Sequence, residues 1–243
     1  MSKRLWDLLE DLKSSCKVVE LSHVVSPDTP HWSGFPDMID DTLFNYKEHG
    51  FYANTYTLVS QYGTHVDAPC HFVEGRRTLD EIGAEELILP LCVVDICDKA
   101  AADADYAASA EDIKAWESVH GKIPEGAFVA LRTDWSKRDD MDNYDAEGNK
   151  HYPAWGIDAL KYLVEERNIA AIGHETTDTD SAVIAARDGY PCETYILDQQ
   201  RFQIEVMKNL DQLPATGALI VCGFPRVRGG SGFTARCYAV VEK

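Results

Sequence analysis

Residues Gln61 to Phe72 read QYGTHVDAPCHF, bringing an amide, two imidazoles and a carboxylate into one short segment. On an extended chain, residues of one parity point to one side, so Gln61, His65, Asp67 and His71 can face a common point. Amide oxygen, imidazole nitrogen and carboxylate oxygen form a borderline-to-hard donor set suited to Zn2+ or Mn2+. Gly63 and Pro69 can turn the chain and change that alignment. The same residues also fit a turn in which Thr64 and Asp67 bond local backbone and His65 sits half buried. Spacing alone leaves both readings open.

Other reactive side chains carry less. Cys70 and His71 are neighbours, and neighbours on a strand point to opposite faces, which argues against a Cys–His nucleophile. There is no G-x-S-x-G elbow, so the usual α/β-hydrolase serine triad is not expected. His174 and Glu175 follow an apolar run, Ile169 to Gly173, at a strand end where α/β folds place function; a capped turn fits them equally. His174 is a substrate-binding candidate. His23 reads as structural, while His49, His120 and His151 lie in polar surroundings and read as solvated. Arg226, Arg228 and Arg236 read as partners of local acids, although a substrate carboxylate is the other option. Asp139 to Asp145 lacks the glycine and glutamate of a calcium loop and reads as a solvated segment.

The elements that must position these groups follow from pattern. Leu5, Leu8, Leu9 and Leu12 recur at helical spacing, and Ser109 is a helix N-cap with Asp112 three residues on. Residues 157–167 form a third helix. Strands are expected at 17–22, 51–59, 87–96, 127–132, 169–173, 218–223 and 235–241, with a loop at 26–37 and a polar surface excursion at 134–152. Strands alternating with helices, some without helical spacers, predict an α/β fold with a mixed sheet. The 243 residues form one domain, 1–243, with no internal repeat or linker.

Composition narrows the function classes. The chain has 41 acidic and 23 basic residues, a net charge of −18, which disfavours nucleic acid as a partner. No apolar run approaches the roughly 18 residues of a membrane span, so no membrane partner is expected. The charged start MSKRLWDLLEDLK does not read as a secretory signal. Seven cysteines, an odd number with no CxxC pair, predict free thiols and a cytoplasmic protein.

The segment containing Gly63, Thr64, His65, Asp67, Pro69 and His71 resembles the signature H-x-G-T-H-x-D-x-P-x-H of the cyclase-like metal-dependent hydrolases. That family includes bacterial kynurenine formamidases and isatin hydrolases. The resemblance extends to VVELSHVVSPDTPHWSGFP, EGAFVALRTDW, IAAIGHETTDTD and FPRVRGGSGFTAR, in the family's order. It implies a mixed-sheet swivelling β/β/α fold and a homodimer or homotetramer. It also implies a divalent metal and hydrolysis of an amide, lactone or related acyl bond in a small cyclic or aromatic substrate. The implied metal ligands are Gln61, His65, Asp67, Glu193 and Glu205. His71 and Glu205 are the implied catalytic residues, and Trp32 and Phe35 wall the substrate pocket or form subunit contacts.

Gln61 stands where the family carries its first histidine, and Glu193 stands where it carries a later one. More oxygen donors shift the preference toward Mn2+ over Zn2+. Two alternatives follow from these departures: a non-catalytic small-molecule binding protein, or a kynurenine formamidase with substituted ligands.

Overall fold

The computed structural model describes residues 3–243. Thirteen strands follow one another along the chain. They are β1 (Cys16–Glu20), β2 (Ile39–Phe44), β3 (Ala53–Thr57), β4 (His65–Asp67), β5 (Ile88–Asp95), β6 (Ala107–Ala108), β7 (Phe128–Arg132), β8 (Ala154–Trp155), β9 (Ala171–His174), β10 (Phe202–Glu205), β11 (Ala218–Gly223), β12 (Gly232–Thr234) and β13 (Arg236–Glu242). Nine of them form one sheet in the order β1-β13-β11-β5-β7-β9-β10-β4-β12. The neighbours β5, β7, β9 and β10 run parallel, whereas the pairings on both flanks are antiparallel. The fold is thus α/β with a mixed sheet, as the strand and helix pattern predicts.

Alternation along the strands divides the core in two. Leu91 and Val93 of β5 join one apolar cluster with Val66, Phe128 and Ile204. Cys92 and Val94 face the other cluster, beneath helices α4 (Ala110–His120), α5 (Ile157–Lys161) and α7 (Pro191–Asp198). Ser109 caps α4 in a reciprocal box with Asp112, as expected. Three further helices are α2 (Tyr46–His49), α3 (Cys97–Ala102) and α6 (Ala182–Asp188).

Four local expectations change. The helix expected at 157–167 does not run α-helically to its end: after Lys161 it widens into a π-turn over Tyr162–Glu166. The 134–152 excursion is irregular, but it is anchored: Trp135, Met141 and Tyr152 are buried in a third small core with Ala182 and Val206. His151 is not simply solvated, because its ring lies between Asp105 (2.6 Å) and Asp145 (3.2 Å). Finally, α1 (Arg4–Ser15) forms, yet no residue of it is buried, and Leu5, Leu8, Leu9 and Leu12 stay 42% to 78% exposed.

Candidate metal centre

Strand register assembles the centre. In the antiparallel pair β4–β10, His65 lies opposite Glu205 and Asp67 opposite Gln203. Facing residues of such a pair carry Cβ atoms roughly 5 Å apart, so the ladder alone brings imidazole and carboxylates together. Gly63 makes the entry turn at φ +66°, where a Cβ would stand 2.8 Å from Thr29. The third carboxylate comes from α7. The Asp180 carboxylate accepts from the backbone N–H groups of Cys192 (2.9 Å) and Glu193 (3.0 Å), capping the helix start and turning Glu193 inward.

The result is two overlapping groups of potential ligand atoms, His65–Asp67–Glu205 and Asp67–His71–Glu193. His65 Nε2 stands 3.5 Å from Asp67 Oδ2 and 3.4 Å from Glu205 Oε2. Tetrahedral ligands at about 2.1 Å from an ion of zinc size are themselves about 3.4 Å apart, so these edges fit a cation. His65 Nδ1 donates to the Gly63 carbonyl at 2.8 Å, which leaves Nε2 to face the carboxylates. Asp67 Oδ1 is buried without a hydrogen-bond partner. No Lys or Arg is among the residues lining the cavity.

Electrostatics point the same way. Burial opposes charge on His65, but Asp67 and Glu205 outweigh it and push its pKa well up. Burial likewise opposes ionisation of Asp67, yet His65 and His71 hold it down at about 2. Burial, then the charges of Glu205 and Asp67, drive Glu193 well up. A proton on His65 takes the place a divalent cation suits better, and such an ion would relieve the repulsion among three buried carboxylates. The donor set therefore fits a divalent metal.

His71 and Gln61 form a separate arrangement. Residues Pro69–His71 make a 3-10 turn, which breaks the extended parity and swings His71 back until Nε2 lies 3.6 Å from Asp67 Oδ1. Gln61 Nε2 donates to His71 Nδ1 and to Ser231 Oγ, each at 3.2 Å, while its oxygen accepts from Ser60. A Cβ at Gly232 would come within 2.6 Å of that amide. Gln61 lines the cavity, but its side chain is spent on His71 and Ser231 rather than joining the carboxylates.

A cavity of about 240 Å3 opens over the centre, lined by Trp32, Phe35, Gln61, His65, His71, Phe72, Thr177, Asp178, Tyr190, Glu193 and Glu205. Trp32 and Phe35 meet edge-on at 5.0 Å, and Phe72 meets Tyr190 at 5.3 Å. His174 does not line this cavity. It lies 1% exposed behind the centre, with Nε2 donating to Glu205 Oε1 at 3.2 Å, because β9 carries its side chain inward to the neighbouring strand. It positions Glu205 rather than meeting a ligand.

Several residues of the site escape the sequence reading. Gln203 is fully buried; its Nε2 reaches Asp67 (3.1 Å), Glu193 (3.2 Å) and Glu205 (3.0 Å), and its oxygen accepts from Thr179 (2.7 Å). Its parity with Glu205 on one strand was the available signal. Phe72, Thr177, Asp178 and Tyr190 carried none. Val206, a β-branched residue at φ +53°, follows Glu205; its N–H donates to Thr176 and its carbonyl accepts from Thr64. Of the remaining candidates, Cys70 Sγ faces the Gly230 carbonyl, Arg236 pairs with Glu20 and Arg226 binds the Asp80 carbonyl.

This geometry coincides with a known family. The family profile of the cyclases matches residues 19–181, and the chain belongs to that family. It is 31% identical to the isatin hydrolase of Roseibium aggregatum over 249 aligned positions, covering 96% of this chain and 94% of that protein. It is 28% identical to cyclase-like protein 3 of Arabidopsis thaliana, covering 92% of this chain and 79% of the relative. Isatin hydrolase A from Labrenzia aggregata, solved with benzyl benzoate, superposes with a TM-score of 0.92 at 33% identity, over 99% of this chain and all of that one. An isatin hydrolase bound to the product analogue thioisatinate gives 0.92 at 31%, with both chains fully covered. The chain is a hydrolase.

Proposed function

We propose that this hydrolase uses a divalent metal and water to open a cyclic amide, lactone or related acyl bond in a small aromatic substrate. The observation that carries the reading is the buried convergence of His65, Asp67 and Glu205, with Glu193 and His71 one ligand atom further on, around a point with no Lys or Arg. His65, Asp67 and Glu205 would hold the ion, with Glu193 closing the shell. When bound, a divalent ion lowers the pKa of water toward about 7 and polarises an acyl carbonyl.

The chain's own groups supply the rest. Gln61 donates to His71 Nδ1, so the neutral ring carries its proton on Nε2, the nitrogen turned toward Asp67. His71 is the most exposed titratable member of the cluster, with a quarter of its side chain open, which suits exchange with water and substrate. In the reaction, water oxygen bonds to the acyl carbon and the acyl–nitrogen or acyl–oxygen bond breaks. His71 gives its Nε2 proton to the departing atom, a carboxylate of the cluster, Glu205, takes the proton of the water, and that proton then restores His71. Trp32, Phe35, Phe72 and Tyr190 present aromatic faces to a flat ring, and the cavity volume suits a substrate of one or two rings.

A ring lactam of the isatin kind is the favoured substrate, on the strength of the relatives' activity. Mn2+ is the favoured ion because oxygen donors outnumber nitrogen in the shell. Assembly into a homodimer or homotetramer is supported by exposed apolar faces on α1 (Leu5, Leu8, Leu9) and on the β2–β3 hairpin (Ile39, Leu43, Tyr56). Seven unpaired cysteines suit a reducing compartment, the cytoplasm, and no helix of the described residues is long and apolar enough to cross a membrane. The test is ring opening of a lactam, imide and lactone panel by protein whose metal content has been measured. Equal turnover after complete chelation would overturn the reading.

A further inference from the structure

Asp178 lines the cavity yet belongs to neither group of metal-ligating atoms. It is 7% exposed, and the hydroxyl of Tyr152, itself 2% exposed, donates to its Oδ2. That bond fixes the carboxyl plane and leaves Oδ1 without a hydrogen-bond donor from the described residues. The next residue along the same wall, Thr177, is 4% exposed and its hydroxyl has no partner. Buried polar groups are nearly always paired within the protein or by a ligand. Here the Thr177 hydroxyl is such an unpaired group, and beside it Asp178 lines the cavity that holds the metal-ligating cluster and the rings of Trp32, Phe35, Phe72 and Tyr190.

We propose that Asp178 accepts the ring N–H of the substrate, so that the site selects lactams and imides over lactones. The inference rests on the ring-opening reading above and names its substrate class. A ring N–H meets the carboxyl oxygen as a donor, whereas a lactone ring oxygen or an N-alkyl group leaves that oxygen unpaired or repelled. A site built around a substrate N–H discriminates strongly against analogues lacking it, because the unpaired polar group is stranded on closure.

Matched bicyclic lactam, N-methyl lactam and lactone, with metal-loaded protein, test this. In Asp178→Asn, the Tyr152 hydroxyl claims the carboxamide oxygen and turns NH2 toward the substrate, a donor against the lactam N–H but a match for the lactone oxygen. The lactam-to-lactone ratio of kcat/KM is expected to fall about a hundredfold relative to the unsubstituted protein, a comparison in which intrinsic reactivity cancels. A ratio that moves by less than about threefold, both substrates declining together, assigns Asp178 a structural role and overturns the proposal.

If the variant does not fold, the unsubstituted protein decides. N-methylation is expected to cost at least about tenfold in kcat/KM beyond its effect on the uncatalysed rate, and no excess cost overturns the proposal. Failure to open any of the three rings overturns the ring-opening reading, and this inference with it. Opening without discrimination overturns the inference alone.

Discussion

Gln61 Nε2 lies 3.2 Å from His71 Nδ1, and the far nitrogen of that ring lies 3.6 Å from Asp67. The amide therefore does for His71 what the Gly63 carbonyl does for His65: it decides which ring nitrogen faces the centre, and it decides the opposite way. His65 turns a lone pair inward; neutral His71 turns a proton inward. Gln61→Leu removes this donor without touching the carboxylates. We expect kcat to fall about 10–100-fold with metal content unchanged, checked by steady-state kinetics alongside elemental analysis. Loss of the metal in this variant would make Gln61 a ligand instead.

His71→Gln separates proton transfer from metal binding. Loss of a positioned acid–base group costs about 10²–10⁴-fold in rate. We expect a fall in that range, with stoichiometric metal retained and one limb of the kcat–pH profile flattened. A profile that keeps both limbs would move the proton-handling role to another residue.

His23 gives a pH signature unrelated to the centre. Burial, with the charge of Lys208 adding to it, lowers its pKa from 6.5 to about 4 in the fold. The folded state thus binds fewer protons than the unfolded one. The stabilisation is complete above pH 6.5 and is lost as pH falls from 6.5 toward 4. Asp112 and Glu117, held at about 2, lose theirs only at lower pH. Thermal unfolding of His23→Gln should therefore show a flatter pH dependence between pH 6.5 and 4 and an unchanged one below. Identical slopes for the two proteins would contradict this.

The leucines of α1 test assembly. Leu5 is 78% exposed, Leu8 and Leu9 are each 47% exposed, and the chain buries none of them. Leu5→Glu combined with Leu9→Glu should shift the mass measured by light scattering toward the single chain. A single-chain mass for the unsubstituted protein would remove the proposed oligomer.

Legibility in the sequence followed the range of the interactions. The capping box at Ser109, the apolar strands at 88–95 and 218–223 and the mixed sheet are set by local pattern, and all are read from it. His65 and Asp67 are legible because they share a strand face. His71 is legible from the motif, while the geometry that brings it back, the turn at Pro69, breaks the strand parity it shares with them in the sequence. The strand carrying Glu205 and Gln203 is not legible, because four residues, FQIE, give too little period. Tyr152 and Asp178 meet only through tertiary folding of the 134–152 segment, which composition alone presents as solvent-facing.

The centre itself is tested most directly by titrating Mn2+ into chelator-stripped protein while following bound metal and ring opening together. Turnover should rise in proportion to tightly bound ion, and His65→Ala should lose both. Full turnover with no bound ion, or His65→Ala binding and turning over as the unsubstituted protein does, would contradict the account.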